Sequence, residues 1–469
     1  MNFDFENYTG SLKYKDIVFT FVFNRNELQL TPSAESCFDV ESLFYERLAN
    51  GAYVDTGRPV YIEESYLEGW CNETTNKIVF IPSKTCIGQL NNTLIVNIMT
   101  YVVFSSNAKP LFDRIDFSGA EINGIYPARQ AIDQLYSDEN GVLRFKTKNY
   151  DQTSTEKQTF CYKQKNVDIN FSITRKFKWN NNEVRIELSP IMSFYFEATD
   201  DYEFINSLVY YAKYFLQYLN YRRNINLSDI SLFITDNAKN TFCAKLFTCD
   251  NKEEIEEECV NKGKFIMQSQ ISSYEGKILD GLISNNLYTR HIPKTYSDGK
   301  SLDAARFIMI CTAFEAEFHK MYKNVKIKNK KRIEAEENAR KKLNELKEQS
   351  KGKLKKIYAH LIKTVDYTSL EEKLIYAYES LETILHIFAK HLYGLNHHTF
   401  SYTDMAKRLS SMRNKFAHGS WDIKFDLATF IDIGFLERMV YAMQLKSLGI
   451  SDNNIQKALN TLFSCHIAL

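Results

Sequence analysis

The amino-acid sequence predicts an α+β protein, with a β-rich N-terminal domain over residues 1–295 and an all-α helical bundle over 296–469. Three observations predict it. From Lys13 to about Ala198 the chain reads as short runs of Val, Ile, Phe, Tyr and Thr, separated by clusters such as Asn180-Asn181-Asn182. That is the texture of antiparallel strands. From Ser301 onward nearly every segment repeats its apolar residues at helical spacing. Histidine usage divides the chain near the same place, with none in the first 290 residues and all nine between His291 and His466.

Taken in order, strands are expected at Asp16–Phe23, Lys77–Ile81, Thr93–Phe104, Val142–Lys146, Val167–Lys176 and Glu183–Ala198. Asp168–Ile173 alternates polar and apolar, as a half-buried strand should. A helix follows over Asp201–Arg222, where Phe204, Leu208, Tyr211, Phe215 and Leu219 share one face. Strands at Ser231–Thr235 and Thr241–Phe247 and a helix at Ile278–Leu287 complete the N-terminal unit. The C-terminal helices are Leu302–Tyr322, a strongly basic stretch at Lys323–Lys356, Leu370–Tyr393, Tyr402–Ala417, Phe425–Leu448 and Asn453–Phe463. Gly419 is a natural stop for the helix before it. Short joints between such segments predict an antiparallel bundle of about five helices.

At 469 residues the chain is too long for one ordinary core, so two or three domains are expected. With 44% hydrophobic and 25% charged residues it is globular rather than disordered. A net charge of +1 gives no expectation of a polyanion partner, and any nucleic-acid surface must come from local clustering. The nine cysteines are scattered, without a CxxC pair, which favours reduced thiols over a disulfide framework or zinc site. Met1–Glu6 lacks the basic-then-apolar order of a signal peptide. The longest apolar run, Thr93–Phe104, is broken by Asn97 and Thr100 and is too short to span a bilayer. A soluble cytoplasmic protein without membrane contact is expected.

Chemistry concentrates in Arg413-Asn414-Lys415-Phe416-Ala417-His418. A guanidinium can hold the charge of a phosphate, and an imidazole can move a proton near neutral pH. Five residues at about 100° each put Arg413 and His418 roughly 140° apart around a straight helix and about 7.5 Å apart along it. One helix cannot easily aim both at a single phosphate. Two copies meeting across a two-fold axis can, and a helix that ends before Gly419 also helps, so a homodimer through the bundle is expected, with further assembly left open. No residue pattern calls for a metal or another cofactor. Arg and His this close also occur by chance, which leaves open a non-catalytic module that binds RNA or a partner protein through the same bundle.

The stretch resembles the Arg-x4-6-His signature of HEPN ribonucleases, down to the polar residue directly after the arginine, and Arg-Asn-Lys-Phe-Ala-His-Gly matches that family in residue character. This resemblance covers residues 301–469. More weakly, the whole architecture is similar to ApeA-like abortive-infection proteins of bacteria, which join a β-rich N-terminal domain to a C-terminal HEPN domain. The resemblance implies a metal-independent defence endoribonuclease, quiet until phage infection (a phage-encoded trigger protein among its partners) and then cleaving cellular RNA, often tRNA in this superfamily. Sensing by residues 1–295 is implied by the resemblance alone. In the expected reaction the 2′-hydroxyl attacks the adjacent phosphorus, leaving a 2′,3′-cyclic phosphate and a 5′-hydroxyl. His418 would act as general acid or base, Arg413 would stabilise charge on the non-bridging oxygens, and Asn414 would orient the imidazole or bond the phosphate.

Lys323–Lys356 carries fourteen Lys/Arg against five Asp/Glu. Such a run is either a solvated face or a track for RNA phosphates. On the second reading Lys330, Lys331 and Arg332 are candidate RNA contacts, as is Lys415 within the motif. HEPN domains often carry an acidic residue on an early helix that helps hold the site, which draws attention to Glu315 and Glu317. The residues themselves favour solvent-facing positions beside the Phe314/Phe318 stripe. His397-His398 reads as a solvated loop pair and His386 and His391 as packing or helix-end residues. Tyr402 and Tyr441 near the motif keep open control by nucleotidyl modification.

Overall fold

The computed structural model describes residues 7–36, 44–47, 53–55, 57–73, 76–90, 92–105, 111–137, 141, 143–180, 183–236, 239–249, 263–323, 330–365, 368–419 and 424–469. The chain divides into two compact units. One comprises Met1–Asn261 with Ser272–Ile283, the other Lys262–Ile271 with Ser284–Leu469.

The first unit is built on β1 (Asn7–Tyr14), β2 (Ile17–Asn24), β3 (Glu27–Pro32), β4 (Tyr45–Arg47), β5 (Tyr53–Asp55), β6 (Leu67–Cys71), β7 (Lys77–Pro82), β8 (Gly88–Leu90) and β9 (Thr93–Phe104). The strands run β9-β3-β2-β1-β6-β7, and β7 pairs back onto β9, which closes a six-stranded antiparallel barrel. Period-two alternation puts Phe19, Phe21, Phe23, Leu28, Leu30, Phe80 and Leu94 inside it. Gly10 and Gly69 make room for the Phe21 ring. A Cβ built at Gly10 would sit 1.9 Å from the Trp70 carbonyl oxygen and 2.8 Å from that ring.

Beyond β9 the sheet continues through β17 (Lys239–Thr248), β16 (Asp229–Asp236), β10 (Phe112–Ser118), β15 (Glu183–Thr199), β14 (Lys165–Asn180) and β13 (Gln158–Tyr162). A hairpin of β11 (Ile132–Ser137) and β12 (Leu143–Thr147) stands apart from that sheet. Helices α1 (Ala120–Ile125), α2 (Tyr202–Asn220) and α3 (Glu275–Ile283) complete the unit. Helix α3 covers the end strand β13, where the Cys161 N–H donates to Asp280 Oδ1 at 2.9 Å. The expected helix at Ile278–Leu287 begins and ends earlier, because Ser284 starts a turn in which Asn285 takes φ +56°. All six strands expected between Asp16 and Ala198 form, while β1, β3 and β10 went unread because half or more of their residues are polar or glycine, and β4, β5, β6, β8, β11 and β13, each of six residues or fewer, also went unread.

The second unit contains α4 (Tyr296–Lys300), α5 (Ala304–Met321), α6 (Lys330–Gln349), α7 (Gly352–Val365), α8 (Leu370–Ser380), α9 (Glu382–Leu395), α10 (Tyr402–Ala417), α11 (Leu427–Ser447) and α12 (Asp452–Leu462). Helix α11 is its centre, buried on nearly every side and packed by α5, α9, α10 and α12. Residues 262–271 and 284–295 belong here rather than with the strands, so the sequence boundary at 295/296 does not follow the packing. Gln270 bonds the Lys457 carbonyl and the Thr461 hydroxyl, and the Tyr288 N–H donates to Glu317. The basic stretch is two helices packed on one another, α6 and α7, turning at Gly352 with φ +63°. Leu370–Tyr393 is likewise two helices, α8 and α9, divided at Leu381. No helix among the described residues is long and apolar enough to cross a membrane.

Candidate functional site

Helix α10 ends as the sequence predicts. It runs to Ala417, His418 is the C-cap with its N–H on the Asn414 and Lys415 carbonyls, and Gly419 takes φ +85°. Only glycine adopts that conformation without strain. The last turn is fixed by Phe416, which is buried and packs at 5.4 Å, centroid to centroid, on Phe307 of α5 and at 5.7 Å on Phe425. With Phe416 turned inward, Asn414, Lys415 and His418 are exposed and Arg413 is half-buried.

Arg413 does not stand free. Its Nη2 lies 3.5 Å from Glu315 Oε2 on α5, and among the described residues Glu315 is its one ion-pair partner. The other carboxylate oxygen, Oε1, accepts from Lys373 Nζ of α8 at 3.1 Å. That ammonium also lies 3.4 Å from His319 Nε2, one helical turn beyond Glu315. Three helices thus bring together a carboxylate between two cations. Side-chain exposure grades outward from 7% at Lys373 through 19% at Glu315 to 36% at Arg413. Beneath them burial, with the Glu315 charge beside it, pushes the Cys311 thiol up to about 12, against the opposing pull of Arg413.

Glu315 and Glu317 are therefore not the solvent-facing pair that the sequence favoured. Glu315 closes the Arg413–Lys373 cluster. Glu317 is 3% exposed and accepts from the Tyr288 N–H at 2.7 Å, Gln444 Nε2 at 3.1 Å and Lys320 Nζ at 3.2 Å. Lys373 and His319 were missed altogether. The signal for Lys373 was a lysine in the stripe Leu370, Leu374, Ala377, Leu381, where solvent access is not expected. The signal for His319 was its i,i+4 spacing from Glu315.

The remaining candidates are dispersed. Lys330, Lys331 and Arg332 occupy the first turn of α6, but their side chains lie outside the described ones. His397 and His398 are exposed in the turn after α9, and His386 meets the Tyr378 hydroxyl through Nδ1 at 3.1 Å. Tyr441 is fully buried and out of reach of a modifying enzyme, whereas Tyr402 is partly exposed, stacked on Tyr378 at 4.9 Å and bonded to Glu379. The Glu379 charge raises its phenol above the ordinary range. The seven described cysteines are all free thiols.

No protein-family model, curated protein or solved structure matches this chain.

Proposed function

We propose that the helical unit is a HEPN-type endoribonuclease that cleaves RNA by 2′-hydroxyl attack and works as a homodimer. The observation that carries this reading is the end of α10. There an arginine held by a carboxylate, a buried phenylalanine anchor and, at the C-cap, an exposed imidazole follow one another along the end of the same helix. Arg413 would meet the non-bridging oxygens and gather the charge that grows on them. His418, reachable from solvent, would carry the proton to or from the attacking or leaving oxygen. Asn414, on the last helical turn before it, would bond the same phosphate. A second α10 across a two-fold axis supplies the matching pair.

Charge supports an RNA substrate. The helical unit holds 32 Lys/Arg against 20 Asp/Glu and the strand-rich unit 27 against 38, so a net charge of +1 hides units of opposite sign. The similarity to ApeA-like proteins carries the biological half of the proposal, an anti-phage enzyme released on infection to cut cellular RNA.

The expected result is that Arg413→Ala or His418→Ala lowers RNA cleavage in EDTA by about a hundredfold or more, while sedimentation still reports the dimer. Cleavage by either variant at the wild-type rate overturns the assignment. Mapping 5′-hydroxyl ends in infected bacteria that express wild type or His418→Ala then identifies the RNA.

One observation favours a second reading. Arg413 is ion-paired within its own chain, which suits a purely structural arginine in a non-catalytic binding module. That module would bind RNA equally in wild type and variants and cut it in neither, including in infected-cell extract.

A further inference from the structure

We infer that Lys373 is a positioning residue that keeps Arg413 available to a phosphodiester by competing for Glu315. The inference rests on the ribonuclease reading for the identity of the anion, and on the geometry alone for the competition. A carboxylate paired with one guanidinium makes a neutral unit that offers little to a second anion. Here the carboxylate is shared. Its closer contact is the 3.1 Å bond to Lys373, and its contact to Arg413 is the longer one at 3.5 Å.

The three charges sum to +1, and Arg413 is the most exposed of the three groups. Lys373 is too deeply buried to meet a substrate itself. Of the five N–H donors of the guanidinium, the contact to Glu315 uses one. Among the described residues nothing else takes the others, which leaves for a ligand the fork that matches two oxygens of one phosphate. A singly charged diester is the ligand such a cluster takes. His319 lies against Lys373, with its Nε2 3.4 Å from the Lys373 Nζ.

The test is a double-mutant cycle on the full-length chain, using Lys373→Met, Glu315→Gln and the pair together, with Lys373→Arg as the conservative rescue. Two readouts run in parallel. One is RNA cleavage, and the other is affinity for the same oligonucleotide carrying 2′-deoxy sugars, which offers no nucleophile. Lys373→Met should lower cleavage and affinity each by about tenfold in the wild-type background and by less than about twofold in the Glu315→Gln background. Lys373→Arg should restore both to within about threefold of wild type. Equal losses in the two backgrounds would overturn the proposal, because Lys373 would then act independently of the carboxylate. Should Lys373→Met fail to fold, the comparison of Lys373→Arg and the double variant with Glu315→Gln stands in for it, and a double variant weaker than Glu315→Gln is the overturning result. If wild type cuts no RNA, the ribonuclease reading fails by itself, and the affinity arm still decides the charge arrangement.

Discussion

Two glutamates two positions apart on α5 hold different parts of the molecule. Glu317 is a buried acceptor for a backbone amide, a glutamine and a lysine, so Glu317→Ala strands several donors. It should cost about 2–4 kcal/mol, read as a lower denaturant midpoint, with Glu317→Gln milder because it keeps an acceptor oxygen. Glu315→Gln should also lower that midpoint, because it leaves the buried Lys373 ammonium facing a neutral amide in place of a carboxylate. The sequence could not separate the two. Both flank Phe314 and Phe318, and only the position of α11 and α8 decides which faces Gln444 and which faces Lys373. Cys311, one turn before Glu315, gives a second residue-scale prediction. Its raised thiol keeps its proton well above the ordinary cysteine range. The folded state therefore binds that proton more tightly than the unfolded chain. The stability this contributes is complete below about pH 8.5 and is lost as pH rises toward 12. At pH 8.5 an alkylating reagent should label exposed Cys86 and Cys161 and leave Cys311 untouched until denaturant is added. Labelling of Cys311 in the native protein would contradict its burial.

At the scale of elements, helix ends mattered more than helix interiors. Asp303, Ser369, Ser401, Asp426 and Ser451 cap α5, α8, α10, α11 and α12, and each accepts from a backbone N–H of the first turn. Of the helix ends, the sequence reading named Gly419, at the far end of α10, and left these N-caps unread. Gly419→Val should cost about 1 kcal/mol or more from backbone strain alone, since nothing lies within 4 Å of the added Cβ. It should also displace His418, so that cleavage falls further than the shift in melting temperature accounts for. Unchanged cleavage would show that the cap does not place the imidazole. The break at Leu381 was not legible, because no proline or glycine marks it. It exists because α8 must pack on α5 and α10 while α9 packs on α11 and α12, directions that one straight helix cannot serve.

For the whole molecule, the telling number is the one that cancels. Overall charge gave no expectation of a polyanion partner, yet division by contacts leaves the helical unit with twelve more basic than acidic side chains. Binding of a 2′-deoxy-substituted oligonucleotide should therefore weaken steeply with salt, by about 0.7 log units per tenfold salt for each phosphate neutralised. Replacing Lys330, Lys331 and Arg332 by alanine should reduce that slope by about 2 if all three meet phosphates. An unchanged slope would return α6 to a solvated face. Two chain segments also cross the boundary between units, 262–271 joining the helices and 272–283 the strands. Local texture gives no sign of this exchange, since both segments are short and mixed in character.

Strand and helix periodicity, the Gly419 stop and the run from Arg413 to His418 are local properties, set by a residue and its neighbours within a turn or two. They were readable in the order of amino acids. Closure of the barrel through β7 and β9, and the carboxylate shared by Lys373 and Arg413, join residues up to 98 positions apart. Their partners are chosen by how helices and strands pack to bury apolar surface, and local spacing carries no record of that choice.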